Sequence, residues 1–177
     1  MRSQFDKQLA KLHRELIEMG ALCEQVIALS SQALTNRDTA LAEKVAPLDH
    51  EIDRKEREIE SLCLKLLLQQ QPVAKDLRRI SAALKMITDM ERIGDQTSDI
   101  AEIILSSKGV AATDEIHVIG TMASEVSKMV RTSVTAYVEK DLELARNVMK
   151  ADDEIDQYFE DCLLYTSPSP RDPKTSR

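Results

Sequence analysis

The stretch ALTNRDTALAEKVAPLDHEID, at residues 33–53, occurs a second time as AYVEKDLELARNVMKADDEID, at residues 136–156. The two stretches lie 103 residues apart, align without a gap, and are identical at nine of 21 positions. Two amphipathic helices would share fewer identities through composition alone, so the match indicates a duplicated structural unit. The chain is therefore predicted to contain two related halves.

Long helices are predicted along almost the whole chain. Aromatic residues make up only 3% of the 177 residues, and only four residues are glycine. Apolar residues recur at alternating spacings of four and three, which is typical of amphipathic helices that pack in bundles. Asp38 can cap the second helix, Pro47 should kink or divide it, and Gly109 should end the third. The five predicted helices cover about residues 1–36, 38–70, 73–107, 113–139 and 141–164.

The repeat divides the chain into units of unequal length. Residues 1–108 form a first unit of three helices, and residues 113–164 contain counterparts of only the first two. The predicted fold class is all-α, with tandem three-helix bundles of which the second is incomplete. Residues 165–177 contain three of the five prolines and show no helical period, so we expect them to be disordered. They are either a truncated or misassembled end, which the missing helix favours, or a natural flexible tail.

The charge and the terminal segments exclude several classes of protein. A formal net charge of −7 argues against a nucleic-acid-binding protein, which needs a basic surface. The three cysteines are far apart and form no CxxC pair, so neither a disulfide framework nor a thiolate zinc site is indicated. The N-terminal segment has no signal-peptide pattern, and the longest apolar run, LCLKLLL, is too short to span a membrane. We expect a soluble cytoplasmic protein.

The third predicted helix contains DMERIGDQTSDIAE, residues 89–102, in which Glu91, Asp95 and Asp99 lie one turn apart. Like charges at this spacing cost a helix about 0.2–0.5 kcal/mol per pair, and the interior Gly94 costs about 1 kcal/mol relative to alanine. Something outside the helix should offset these costs.

The orientation of these carboxylates stays open in the sequence, because this helix has two apolar stripes. Glu91 and Asp95 continue one of them, and the other runs along the opposite side. We expect the buried seam to cross the helix from the first stripe to the second and to leave the carboxylates facing outward, because unpaired buried charge is costly. The stripes are Val73, Leu77, Ile80, Leu84 and Ile87, and Met86, Met90, Ile93, Ile100 and Ile104.

A similar acidic ridge follows the second predicted helix and recurs in the repeat. Carboxylates with about 6 Å between their Cβ atoms can chelate hard cations, and oxygen ligands favour iron, manganese, magnesium or calcium. The alternative is a solvated acidic face, which is ordinary in a chain with 31 acidic residues. The ridge consists of Asp49, Asp53, Glu56 and Glu60, and its repeat consists of Asp152, Asp156 and Glu160.

No catalytic motif accompanies these ridges in the sequence. Ferritin-like di-iron enzymes need two ExxH pairs, and His13, His50 and His117 provide none of them. We expect these histidines at the surface. The sequence also has no Ser/His/Asp or Cys/His arrangement and no glycine-rich phosphate loop, so an enzyme is unsupported.

The segments QQQPVAKDLR, LRRISAALKMITDMERIGDQTSDIAEIIL and LDHEID resemble the PhoU family of phosphate-signalling proteins, and the resemblance covers residues 1–164. It implies two similar three-helix halves in a cytoplasmic, often dimeric protein that negatively regulates the phosphate-starvation response. It also implies partners, namely the ATPase subunit of the phosphate ABC transporter and a sensor histidine kinase. Any membrane association would then occur only through these partners.

The resemblance also implies metal sites, since some members of the family carry multinuclear iron or zinc at E/DxxxD motifs. The bound ion here would be iron, zinc, manganese or magnesium. The matching residues are Asp49, Asp53, Glu91 and Asp95, with Asp99 beside them, and Asp152 and Asp156 in the second half.

Two departures and two alternatives qualify this reading. One departure is Gln96, which follows ERIGD at a position where members of the family often carry His or another residue, so the preferred metal stays open. The other is that a second ERIGD helix is absent, so Asp152 and Asp156 would lack half of their ligands. The fourth and fifth helices should expose apolar faces, from which we expect concentration-dependent association, for example a homodimer. The alternatives to a regulator are a metal-dependent hydrolase and a metal-free helical scaffold.

Overall fold

The computed structural model describes residues 2–70, 73–106 and 115–166, and these ranges are helical apart from short turns. The all-α prediction is confirmed. Gly109, the predicted helix stop, and residues 167–177 of the predicted disordered tail lie outside the described residues, whereas the first two residues of that tail, 165 and 166, belong to the last helix. The helices are α1 (Arg2–Asn36), α2 (Thr39–Ala42), α3 (Val45–Gln70), α4 (Ala74–Ser106), α5 (Glu115–Glu139) and α6 (Leu142–Thr166).

The second predicted helix is divided, but not at the proline. The break falls at Glu43 and Lys44, between α2 and α3, and Pro47 is the third residue of α3. The first N–H groups of a helix have no partner within the helix, so a proline in the first turn costs no hydrogen bond. Pro47 therefore lies in the first turn of α3 and does not bend the helix.

The turns that begin α2 and α6 show the repeat in three dimensions. Arg37 and Lys140, 103 residues apart, both adopt left-handed backbone conformations, with φ of 54° and 62°. The next residue in each case is an aspartate whose Oδ1 accepts backbone N–H groups of the following helix. Asp38 accepts two such bonds, at 2.9 and 3.1 Å, and Asp141 accepts one at 2.9 Å. The predicted capping role of Asp38 is confirmed.

The core of the first half lies where α1 packs against α3 and α4, which also pack against each other. The largest side chains in it are no more than 1% exposed. They include Leu12, Leu16 and Met19 of α1, Ile52 and Ile59 of α3, and Ile80 and Ile87 of α4.

The buried stripe of α4 crosses from one predicted stripe to the other, as expected from the sequence. It begins on the first, at Ile80 and Ile87, and ends on the second, at Met90 and Ile104. Small residues complete the stripe on either side of the crossing, and apolar periodicity alone does not identify them. Leu77, expected on the first stripe, is 46% exposed. The complete buried set is Ile80, Ala83, Ile87, Met90, Gly94, Thr97, Ala101 and Ile104.

The halves meet where α5 packs along α1, and α6 packs on α5. A Cβ on Gly20 would lie 3.2 Å from Val134 Cγ2, so the two helices approach closely there. The ring of His13 on α1 packs edge-on against that of Tyr137 on α5, with 5.8 Å between centroids, and the Tyr137 hydroxyl donates to the Arg79 carbonyl at 3.0 Å. The prediction of a surface position is therefore wrong for His13, which is half-buried. None of the described helices is long and apolar enough to cross a membrane.

Candidate metal centre

The acidic ridges of α3 and α4 meet at one place. Asp49 and Asp53 lie one turn apart on α3, and Asp95 lies on the neighbouring α4. One carboxylate oxygen from each residue lies within 4.8 Å of the other two. Three carboxylates at this separation can reach a single cation.

Gly94 is the residue that makes room for this arrangement. A Cβ built on Gly94 would lie 2.4 Å from Asp49 Oδ1 and 3.4 Å from Ile52 Cδ1. Any larger residue would displace the carboxylate or push α4 away from α3. The glycine inside α4 is thus explained by packing against α3, which offsets its low helix propensity.

Asp49 is almost completely buried, with 9% of its surface exposed. Its Oδ2 accepts a hydrogen bond from the Ser98 hydroxyl at 2.8 Å. Its Oδ1 is buried and has no hydrogen-bond partner within the part of the chain that the structure describes. An unpartnered buried carboxylate oxygen is costly, and a bound cation would remove that cost. This atom, beside the space that Gly94 leaves open, fits a metal ligand.

The electrostatics of the cluster also favour a cation. Burial raises the pKa of Asp49, the Ser98 hydrogen bond lowers it, and the charges of Asp53 and Asp95 raise it. Burial is likewise the main reason that the pKa of Glu91 is raised, followed by the charge of Asp95. Burial and the neighbouring negative charges thus make Asp49 and Glu91 harder to ionise, and a positive charge among the carboxylates would oppose this effect.

The remaining predicted ligands do not belong to this group of three. Glu91 is half-buried beside it, and Asp99 is exposed one turn beyond Asp95 on α4. Asp152 and Asp156 are exposed on α6. Among the described residues, only Asp49, Asp53 and Asp95 form a cluster of this kind, so a second site at α6 stays a prediction.

Two residues near the cluster were not among the predicted ligands. Ser98 lies one turn after Gly94 and thus on the same side of α4, which is the signal that could have identified it. Glu56 lies on the predicted ridge of α3, and its pKa is raised by burial and then by the charges of Glu60 and Asp53. Both side chains would therefore lie near a cation bound by the cluster.

Comparison with known proteins finds a match in each half of the repeat. The PhoU domain model matches residues 16–104 and again residues 119–175. A phosphate-specific transport system accessory protein PhoU homologue of Clostridium acetobutylicum is 38% identical over 159 residues, which is 89% of this chain and 73% of that protein. The homologue of the same name from Pseudomonas aeruginosa is 33% identical over 162 residues, 90% of this chain and 66% of that protein.

Solved structures show the same architecture. The crystal structure of PhoU from Pseudomonas aeruginosa superposes with a TM-score of 0.82 at 30% identity, covering 91% of this chain and 78% of that one. The phosphate transport system regulatory protein PhoU from Streptococcus pneumoniae superposes with a TM-score of 0.79 at 26% identity, covering 89% of this chain and 74% of that one.

Proposed function

The chain belongs to the PhoU family, and we propose that it is an accessory protein that regulates phosphate-specific transport. The observation that carries this proposal is the family match in both halves of the repeat. Proteins of this family are regulatory and accessory proteins, so the chain is not an enzyme and the hydrolase alternative is set aside.

In more detail, we propose a negative regulator of the phosphate-starvation response. It would act in the cytoplasm by contact with the ATPase subunit of a phosphate ABC transporter and with a sensor histidine kinase, and would reach the membrane only through them. The acidic ridges on α3 and α4 support this, because such a surface steers and orients a basic partner. A homodimer is also part of the proposal.

We further propose that Asp49, Asp53 and Asp95 hold a divalent cation with a structural or sensing role. The buried Oδ1 of Asp49, which has no hydrogen-bond partner among the described residues, supports this more directly than the acidic composition does. A bound cation would supply the positive charge that offsets carboxylate repulsion and would link α3 to α4. The oxygen ligands suit iron, manganese or magnesium, with zinc as a further possibility.

Complementation tests the regulatory role. In a bacterial strain that lacks its own regulator, this chain should silence alkaline phosphatase when phosphate is plentiful. Asp95→Asn should relieve that silencing, whereas Asp99→Asn, a matched change on the same helix outside the cluster, should not. If the folded, expressed chain fails to silence the enzyme, the regulator proposal is wrong. If Asp95→Asn silences fully, the metal-free scaffold is the better account.

Thermal unfolding tests the cation separately from the regulation. Removing divalent cations with a chelator should lower the unfolding temperature of the unmodified chain, and adding Mn²⁺ should restore it. The same treatments should leave Asp95→Asn unchanged and should shift Asp99→Asn as they shift the unmodified chain. If the treatments shift the unfolding temperatures of both variants equally, the ion binds at a site that does not include Asp95.

A further inference from the structure

The two carboxylate oxygens of Asp49 have different surroundings on α4. Oδ2 accepts the hydrogen bond from the Ser98 hydroxyl at 2.8 Å. Oδ1 is buried and has no hydrogen-bond partner among the described residues. It lies beside Gly94, in the space that a side chain at that position would fill. One oxygen of Asp49 is therefore engaged with the protein, and the other is left for a ligand.

The packing around Asp49 holds this arrangement in place. Only 9% of the residue is exposed, so its carboxylate has little room to turn. A Cβ on Gly94 would lie 2.4 Å from Oδ1 and 3.4 Å from Ile52 Cδ1, so the backbone of α4 and an apolar side chain border the free oxygen. Turning the carboxylate away would break the Ser98 hydrogen bond and leave both oxygens buried without a partner, which is costly.

Two neighbouring hydroxyls on this turn of α4 act in different directions. Thr97 is buried, and its hydroxyl donates to the Gly94 carbonyl of the same helix at 2.7 Å. The Ser98 hydroxyl instead donates across to α3. Ser98 therefore orients a carboxylate on another helix, whereas the Thr97 hydrogen bond stays within α4.

An aspartate that offers a single oxygen suits some cations better than others. Mn²⁺ and Mg²⁺ favour octahedral oxygen sites, and Mg²⁺ usually keeps several waters and few carboxylate ligands. Ca²⁺ takes about six to eight oxygens at longer distances and often binds both oxygens of one carboxylate. The second oxygen that Ca²⁺ would take from Asp49 is engaged with Ser98. The hydrogen bond therefore disfavours the larger ion.

We propose that Ser98 is a positioning residue that makes Asp49 a one-oxygen ligand, and that the cluster thereby selects a small octahedral cation such as Mn²⁺ over Ca²⁺. This inference rests on the cation proposed above for Asp49, Asp53 and Asp95, and it adds a residue and a selectivity to that proposal. Asp95 is exposed, so water can reach the outer side of the cluster and complete the octahedron. Ser98 contacts the ligand Asp49 and acts on the cation through it.

Calorimetric titration of the full chain, first freed of metal by a chelator, measures the affinities for Mn²⁺ and for Ca²⁺. The unmodified chain should bind Mn²⁺ more tightly. Ser98→Ala should weaken Mn²⁺ binding about tenfold, which is typical of losing a residue that orients a metal ligand. It should not weaken Ca²⁺ binding, because Asp49 can then offer both oxygens. Partial unfolding lowers both affinities by the same factor, so the ratio of the affinities reports selectivity and not stability.

Two control variants and a spectroscopic measurement separate positioning from packing. Ser98→Thr keeps the hydroxyl and should keep the affinity ratio of the unmodified chain. Thr97→Val removes a buried hydroxyl from the same turn of α4 and should also leave the ratio unchanged. Infrared difference spectra, Ca²⁺-loaded minus metal-free, report how the carboxylates bind. In Ser98→Ala the antisymmetric and symmetric carboxylate stretching bands should lie closer together, because their separation is smaller when both oxygens bind one ion.

The role of Ser98 and the cation site fail in different ways. If the unmodified chain binds neither ion, or if Asp95→Asn binds Mn²⁺ as tightly as the unmodified chain, the cluster is not the cation site and both proposals are wrong. If Mn²⁺ binding depends on Asp95 but Ser98→Ala leaves the affinity ratio unchanged, the cation site stands and the role of Ser98 is wrong. A preference of the unmodified chain for Ca²⁺, or an equal change of the ratio in Thr97→Val, would also overturn the role of Ser98.

Discussion

Replacing Gly94 with alanine tests whether α4 packs against a buried carboxylate. In an exposed helix position, glycine to alanine stabilises by about 1 kcal/mol. At Gly94 the added Cβ would lie 2.4 Å from Asp49 Oδ1, far inside contact distance. Asp49 cannot turn away without disturbing its 2.8 Å hydrogen bond with Ser98.

The expected free energy follows from these opposing effects. Overpacking a buried site costs about 1–3 kcal/mol, and weakening the Ser98 hydrogen bond adds about 1 kcal/mol. After subtraction of the propensity gain, Gly94→Ala should lower the free energy of unfolding by about 2 kcal/mol. For a chain of this size, that corresponds to an unfolding temperature lower by about 4–8 °C.

Gly120→Ala is the matched control, because it makes the same change in α5. The nearest atom to a Cβ at Gly120 is Thr35 Oγ1, at 4.0 Å, which is an ordinary contact. This variant should gain up to about 1 kcal/mol. Urea unfolding followed by circular dichroism measures both variants. If Gly94→Ala is stabilised as much as Gly120→Ala, then Gly94 does not pack closely against the Asp49 carboxylate and the argument is wrong.

Three further substitutions test the surroundings of the cluster and the junction of the halves. Ser98→Ala removes a donor to Asp49, so the pKa of Asp49 should rise further, as carboxyl NMR titration would show. Tyr137→Phe removes the side-chain donor to the Arg79 carbonyl and should cost about 1 kcal/mol in urea unfolding. Burial, then Lys140 and Arg79, lower the pKa of His13 below its usual 6.5. Stability should therefore fall as pH drops below about 6.5, and His13→Gln should flatten that decline between pH 7 and 5.

The helices and the duplication could be predicted from the sequence because both depend on local periodicity. The 103-residue repeat anticipated the paired turns at Asp38 and Asp141, since a capping side chain acts on its own next turn. The apolar spacing of α1 anticipated its buried seam in the same way.

Features that depend on how closely two helices approach could not be predicted. The sequence places Asp49 on an acidic ridge, but its burial follows from the contact with Gly94 on another helix. The small members of the buried stripe on α4, such as Ala83 and Ala101, could not be identified either, because they carry little hydrophobic signal. The half-buried position of His13 could not be predicted either, because it depends on the packing of α5 against α1.

Anomalous diffraction from Mn²⁺-soaked crystals would test the central claim most directly. We expect one peak between α3 and α4, about 2.0–2.5 Å from carboxylate oxygens of Asp49, Asp53 and Asp95. The peak should be absent from crystals of Asp95→Asn. Manganese found only at exposed acids such as Asp99 or Asp152, or no ion within reach of Asp49, would contradict the account.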